Sequence, residues 1–162
     1  RMALVTQDPL LFSGTIAENI RFGNPSLLHD ELMQVIKDAH CTDLIAKLPG
    51  GPDFVLTGGK EALSSGERQL ISIARAFAKD PDLLILDEAT SYIDSETEQH
   101  IQNALNNLMR HRTTLIVAHR LSTAREAHRI VVINQGRIVE TGTHEELIRL
   151  RGFYYRLGQL QN

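Results

Sequence analysis

The stretch "LLILDEATS", residues 83–91, decides the fold class. Its apolar run, residues 83–86, predicts a strand that is buried on both faces, which is typical of a parallel sheet. Two carboxylates, Asp87 and Glu88, follow where this strand ends. Ligands of parallel sheets bind at the carboxyl ends of the strands, so Asp87 is a candidate Mg²⁺ ligand and Glu88 a candidate base that polarises an attacking water. A solvated acidic turn is the alternative that this pattern leaves open.

A helix is predicted just upstream, beginning in "LSSGERQ" at residues 63–69. Ser64 and Glu67 fit the S-x-x-E capping box, in which each side chain accepts a backbone N–H of the other residue. The same helix start is also a candidate anion site, because its N–H groups and dipole attract phosphate and because Ser64, Ser65 and Gly66 are small or carry hydroxyls. Four apolar residues then repeat at helical spacing: Leu70, Ile73, Ala74 and Phe77.

The remaining patterns predict an α/β fold with a parallel sheet flanked by helices. Residues 1–80 are predicted to be mostly helical after a short strand at 3–6, whereas residues 81–162 alternate strand and helix. Thr143 and Glu146 form a second candidate capping box. The other expected elements are helices at 16–21, 27–48, 96–109 and 144–149, a buried strand in "TTLIVAH" at 113–119, and a hairpin about residues 134–136.

Composition narrows the class of protein. The 162 residues carry a net charge of −3 without a long basic run, which argues against a nucleic-acid surface. Cys41 is the one cysteine, so a disulfide framework is excluded, and the residue is expected to serve as a small apolar side chain. No apolar stretch approaches the roughly 18 residues that a membrane-spanning helix needs.

The two decisive stretches, "LSSGERQ" followed by "LLILDEATS", together resemble the nucleotide-binding domain of ABC transporters, as its signature motif and Walker B strand. The resemblance covers almost the whole chain. "VTQDPLLFSGTIAENIRFG" (5–23) is similar to the Q-loop region, "SYID" (91–94) to the D-loop, "IVAHRLST" (116–123) to the switch region, and residues 129–147 to the C-terminal hairpin and helix. The sequences of these motifs are closest to the exporter branch of the family, in which membrane helices precede this domain.

The resemblance implies a partial P-loop NTPase fold, with a helical subdomain and the C-terminal part of a mainly parallel sheet core. Its segments would be 1–14 with the Q-loop, 15–80 with the signature motif, and 81–162 with the Walker B strand, D-loop and switch histidine. ATP and Mg²⁺ are the implied cofactors. The implied roles are catalysis by Glu88, His119 and Gln7, nucleotide contact by Ser64, Ser65, Gly66 and Asp94, and metal contact by Asp87 and Gln7.

Two departures from the family pattern stand out. Ser65 replaces the usual glycine and Glu67 the usual glutamine of the signature motif. Nothing in the 162 residues fits G-x-x-x-x-G-K-[ST], the loop that cradles phosphates, so the chain is expected to begin at the Q-loop, after the Walker A region.

The function that the resemblance implies is ATP hydrolysis coupled to export across a membrane. The expected partners are a second nucleotide-binding domain and a transmembrane domain, without nucleic acid, at the cytoplasmic face of the membrane. The isolated fragment is expected to be soluble and inactive, and its strand at 83–86 is expected to lack a sheet neighbour. Two alternatives stay open: a soluble ATPase of the same class in DNA repair or translation, and a non-catalytic interaction module.

Overall fold

A computed structural model of the chain describes residues 1–57, 63–87, 95–118 and 121–160. Its contacts divide the chain into two units, Arg1–Leu115 and Ile116–Asn162. The strands are β1 (Met2–Val5), β2 (Gly14–Thr15), β3 (Val55–Leu56), β4 (Leu83–Asp87), β5 (Thr113–Val117), β6 (Ile130–Asn134) and β7 (Arg137–Gly142). The helices are α1 (Ile16–Arg21), α2 (His29–Asp38), α3 (Thr42–Lys47), α4 (Ser65–Lys79), α5 (Ser95–Met109), α6 (Leu121–Arg125), α7 (His144–Leu150) and α8 (Phe153–Leu160).

The main sheet has the strand order β1-β4-β5, and β1 runs parallel to β4. Leu84 and Leu86 of β4 are buried, whereas Leu83 and Ile85 are only half-buried, so the predicted burial on both faces is met on one face. The prediction that the strand at 113–119 is buried is wrong, because Leu115 and Val117 of β5 are 56% and 44% exposed. The α/β architecture with a parallel sheet is confirmed. The expectation that the strand at 83–86 lacks a neighbour is wrong, because β4 is the central strand and pairs on both sides.

Helix α4 forms the centre of the first unit. Leu70, Ile71, Ile73 and Ala74 are at most 3% exposed, and the helix packs against α1, α2, α5 and β1. The burial extends around most of the helix because neighbours cover it on several sides, so α4 is a rigid support for whatever its two ends carry.

The predicted helix at 27–48 is wrong as one element, because it is divided into α2 and α3. His40 has a φ of 53°, which a right-handed helix does not accept, and the chain turns there before α3 begins at Thr42. Periodicity reports the apolar face of a helix but does not report a left-handed residue within it.

The second unit contains α6, the β6–β7 hairpin, α7 and α8. The hairpin turns at Gln135 and Gly136, whose φ angles are 49° and 74°, so this prediction is confirmed. The Thr143 capping box also forms, at the start of α7. The core of this unit consists of Ile130, Val132, Leu147 and Tyr154. Within the described ranges, no helix is both long and apolar enough to cross a bilayer.

Cys41 is fully buried beside α4, as expected of a small apolar residue. Its thiol donates to the carbonyl oxygen of Leu70 at 3.4 Å. Burial raises the pKa of this thiol to about 12, whereas a thiol in an unfolded chain ionises near ~8.5. At a pH between these two pKa values, only the unfolded state releases the proton. The free energy of unfolding therefore decreases as the pH rises.

We expect the free energy of unfolding to fall by roughly 1 kcal/mol between about pH 8 and about pH 9.5, because the Cys41 proton is lost only on unfolding. Urea unfolding at both pH values, followed by circular dichroism, measures this difference. Cys41→Ala is the matched control, in which this part of the pH dependence disappears. The same pH dependence in both proteins would contradict the assignment.

Candidate functional site

The carboxyl ends of β1 and β4 meet at one edge of the main sheet. Val5 lies opposite Leu86 in the parallel register, so the chain leaves both strands at the same level. Gln7 follows β1 and Asp87 ends β4, and both side chains are exposed. They line one cavity of about 420 Å³. Two of the predicted site residues thus share the sheet edge at which ligands of parallel sheets bind.

The chemistry of this edge fits a hard divalent cation. Asp87 offers a carboxylate and Gln7 an amide oxygen, which are the ligand types that Mg²⁺ accepts. Among the residues that the structure describes, no group of three or more His, Cys, Asp and Glu side chains could hold a metal. Mg²⁺ commonly takes one or two protein oxygens together with water and phosphate oxygens, and Asp87 and Gln7 are oxygen donors of this kind.

The rest of the cavity lining was not predicted from the sequence. It includes Ser72 and Arg75 of α4, together with Leu10 and Phe12 from the loop that follows β1. Burial lowers the pKa of the Arg75 guanidinium below its ordinary value. In the sequence Arg75 is an ordinary charged residue of a helix, and no local pattern distinguishes it.

The start of α4 carries the predicted capping box, which the structure confirms. Ser64 Oγ accepts the N–H of Glu67 at 3.2 Å. In return, Glu67 Oε2 accepts the N–H of Ser64 at 2.7 Å. We call Ser64, Ser65 and Gly66 the serine corner. Both serines are exposed and Gly66 is buried.

The serine corner keeps hydrogen-bond donors available. The Ser64 oxygen uses a lone pair in the cap, so its hydroxyl proton remains able to donate. The Ser65 hydroxyl has no hydrogen bond within the described part of the chain. Glu67 opposes an anion here, because its carboxylate carries negative charge at the positive end of the helix dipole.

The serine corner lies outside the cavity that Gln7 and Asp87 line. Ser64 lies eight residues before Ser72, which corresponds to about 12 Å along a helix. None of the three corner residues lines the cavity. Glu88, Asp94 and His119 fall outside the described residues, so the structure adds nothing on them.

Comparison with known proteins shows what this chain is similar to. The family model described as "ABC transporter" matches residues 1–91. The chain is 50% identical over 161 residues to an "ATP-dependent lipid A-core flippase" of Desulfotalea psychrophila (strain LSv54 / DSM 12343), covering 99% of this chain and 28% of that protein. It is 49% identical over 160 residues to a "Probable multidrug resistance ABC transporter ATP-binding/permease protein YheH" of Bacillus subtilis (strain 168), covering 99% of this chain and 24% of that protein.

A solved structure is similar over the same span. It is titled "Structure of a bacterial Atm1-family ABC exporter with ATP bound", and it matches at a TM-score of 0.87 and 39% identity. The match covers 99% of this chain and 28% of that one. The chain therefore spans about a quarter of the length of the curated relatives that it matches.

The two serines differ in their role at the helix start, because Ser64 Oγ accepts the N–H of Glu67. Ser64→Ala removes the acceptor for the Glu67 N–H, so we expect it to lower the free energy of unfolding by about 1 kcal/mol. Ser65→Ala is the matched neighbour and is expected to change stability by less than about 0.5 kcal/mol. Urea unfolding of both variants measures the difference. Equal losses in the two variants would show that the capping bond of Ser64 does not stabilise α4.

Proposed function

This chain belongs to the ABC transporter family, and from that premise we propose that the intact protein is an exporter that couples ATP hydrolysis to transport across a membrane. The observation that carries the proposal is the sheet edge where Gln7 and Asp87 line one cavity. The names of the relatives support it, since they describe a flippase and an ATP-binding/permease protein. These names do not favour a soluble ATPase of DNA repair or translation.

ATP and Mg²⁺ are the proposed cofactors at the sheet edge. Asp87 and Gln7 would hold the metal through oxygen atoms, directly or through water. The ion, when bound, would neutralise charge that develops on the phosphate oxygens. Gln7 would also orient the attacking water.

Two proposed catalytic residues come from segments outside the described ranges. Glu88 follows Asp87 directly in the sequence. In this proposal Asp87 would hold the metal while Glu88 polarises the water as a general base. His119 follows β5 and would donate a hydrogen bond to the γ-phosphate, and Asp94 would contact nucleotide from the D-loop.

A second nucleotide-binding domain is the proposed partner of the serine corner. The corner is about 12 Å along α4 from the cavity wall, and its hydroxyl donors face outward. It would therefore close over ATP that is bound to the other domain, while Gln7 and Asp87 act on the ATP of their own domain. The two domains would pair head to tail with ATP between them.

An exposed apolar surface is proposed to dock on the transmembrane domain. Leu10, Phe12 and Phe22 are 78%, 47% and 64% exposed, and the rings of Phe12 and Phe22 lie 4.8 Å apart. Contiguous exposed apolar surface is typical of interaction sites. This surface would place the domain at the cytoplasmic face of the membrane. The cargo would be chosen elsewhere, since relatives at 50% and 49% identity carry names with different cargoes.

Glu88→Gln in the intact protein is expected to lower steady-state ATP hydrolysis at least about 100-fold, because the amide is not a general base. Nucleotide binding and pairing of the two domains should persist, since the substitution preserves shape. Phosphate release measures ATP hydrolysis, and binding of a fluorescent ATP analogue measures nucleotide binding. Glu126→Gln, an exposed acid of the second unit, is the control and should hydrolyse ATP normally. Undiminished hydrolysis by Glu88→Gln would remove Glu88 from its proposed role.

The 162-residue chain alone is proposed to bind Mg-ATP weakly and to hydrolyse it negligibly. The reason is that no G-x-x-x-x-G-K-[ST] loop occurs in these residues to cradle the phosphates. Titration calorimetry with Mg-ATP tests this, and we expect no saturable heat at micromolar ligand. Micromolar affinity would instead show that the sheet edge binds nucleotide by itself.

A further inference from the structure

We propose that Arg75 is a positioning residue that couples the two ATP sites of the paired domains. It would do so by tying the loop that carries Gln7 to the helix that carries the serine corner. The inference rests on the proposed function, because the cavity edge and the serine corner matter together only if each serves a different ATP. Arg75 lines the cavity with Gln7 and Asp87, but three of its donors are bonded to Leu10 and Asn19, so its proposed role is to hold these segments rather than a nucleotide.

The guanidinium of Arg75 makes three hydrogen bonds to two separate segments. Nη1 donates to the carbonyl oxygen of Leu10 at 3.0 Å. Nε donates to the carbonyl oxygen of Asn19 at 3.0 Å, and Nη2 donates to Asn19 Oδ1 at 3.1 Å. One side chain of α4 therefore holds both the loop after β1 and helix α1.

Two aromatic rings add to this attachment. The Arg75 guanidinium carbon lies 5.2 Å from the ring centroid of Phe12 and 5.4 Å from that of Phe22. Both distances are within the range of a cation–π interaction. The two rings come from the same two segments as the hydrogen-bond acceptors, so the guanidinium is fixed from several directions.

Asn19 completes the clamp on the loop. It is 2% exposed. Its Oδ1 accepts the N–H of Phe12 at 2.9 Å, and its Nδ2 donates to the carbonyl oxygen of Phe12 at 3.0 Å. The loop that begins near Gln7 thus ends in a segment whose backbone is held on both sides. A displacement of Gln7 would be transmitted to Asn19 and Arg75 rather than absorbed within the loop.

The segment that follows α1 also contacts the backbone of α4. Gly23 lies so close to Arg75 that a Cβ at this position would overlap the Arg75 carbonyl oxygen. Ser64 is eleven residues before Arg75 on the same chain segment, which corresponds to about 16 Å of helix. Because α4 is buried along most of its length, a shift at Arg75 would move the serine corner with it.

A merely structural guanidinium is available for comparison in the same unit. Arg112 Nη1 donates to the carbonyl oxygen of Leu108 at 2.6 Å, and its Nη2 donates to Asp80 Oδ1 at 3.0 Å. Its guanidinium carbon also lies 5.9 Å from the ring centroid of Phe77. Arg112 resembles Arg75 in its contacts, yet it ties the end of α5 to the end of α4, and none of its hydrogen bonds within the described residues goes to the loop after β1.

The test is Arg75→Lys in the full-length protein, with Arg112→Lys as the matched control. Lysine keeps the charge, but its single ammonium cannot span the three acceptors of Arg75. We expect a wild-type Hill coefficient for ATP hydrolysis between about 1.5 and 2, falling to about 1 in Arg75→Lys. The kcat should fall at least about tenfold with a KM for ATP within about twofold of wild type, because Asp87 still holds the metal while the misplaced Gln7 no longer orients the attacking water.

Arg112→Lys should keep the Hill coefficient and kcat of wild type, while both variants lose a few degrees of Tm. If Arg75→Lys does not fold, Asn19→Asp tests the same clamp, because it keeps the acceptor for Arg75 and loses the donor to Phe12. It should show the same loss of cooperativity. A retained Hill coefficient in the folded variant, or a wild-type value of about one, would overturn the coupling role. Absence of ATP hydrolysis in the wild-type protein would instead overturn the proposed function.

Discussion

The parallel pairing of β1 with β4 is the constraint on which the candidate site depends. Val5 lies opposite Leu86, and Ala3, Val5, Leu84 and Leu86 are buried. A slip by one residue would turn these four side chains to the other face, so burial fixes the register. The register in turn fixes which residues leave the two strands together. The meeting of an amide and a carboxylate at one sheet edge is therefore a consequence of how the buried residues just before them pack in the two strands.

Helix α4 joins this edge to the serine corner, and its start shows a conflict between stability and function. Glu67 stabilises the helix, because its carboxylate accepts the Ser64 N–H at 2.7 Å and lies at the positive end of the helix dipole. The same charge opposes a phosphate at the corner. A glutamine would preserve the hydrogen bond without the charge. This chain therefore has a firmly capped helix whose attraction for an anion depends more on the hydroxyl donors of Ser64 and Ser65 than on the dipole.

Short-range patterns predicted most of the elements, because capping boxes, turns and apolar faces depend on neighbours a few residues apart. The hairpin and both capping boxes form where the sequence places them. The prediction of one continuous helix at 27–48 was wrong at His40, because a left-handed backbone leaves no signal in the apolar periodicity. The prediction that β4 lacks a neighbour was wrong for another reason. Its neighbour β1 is about 80 residues away along the chain, and a local pattern carries no information on such a partner.

Arg75 was missed for the same reason as the strand order, since its acceptors lie 56 and 65 residues away. In the sequence it is an ordinary charge on a helix. In the structure, removing it would leave the carbonyl oxygens of Leu10 and Asn19 without this donor. Burial lowers its pKa because the charge is partly desolvated, and a group that is desolvated in this way is stable only where several acceptors face it. A planar guanidinium supplies donors in three directions at once, whereas an ammonium at the same place would satisfy fewer acceptors and an apolar side chain none. The geometry of the acceptors thus requires arginine at this position, although nothing near it in the sequence does.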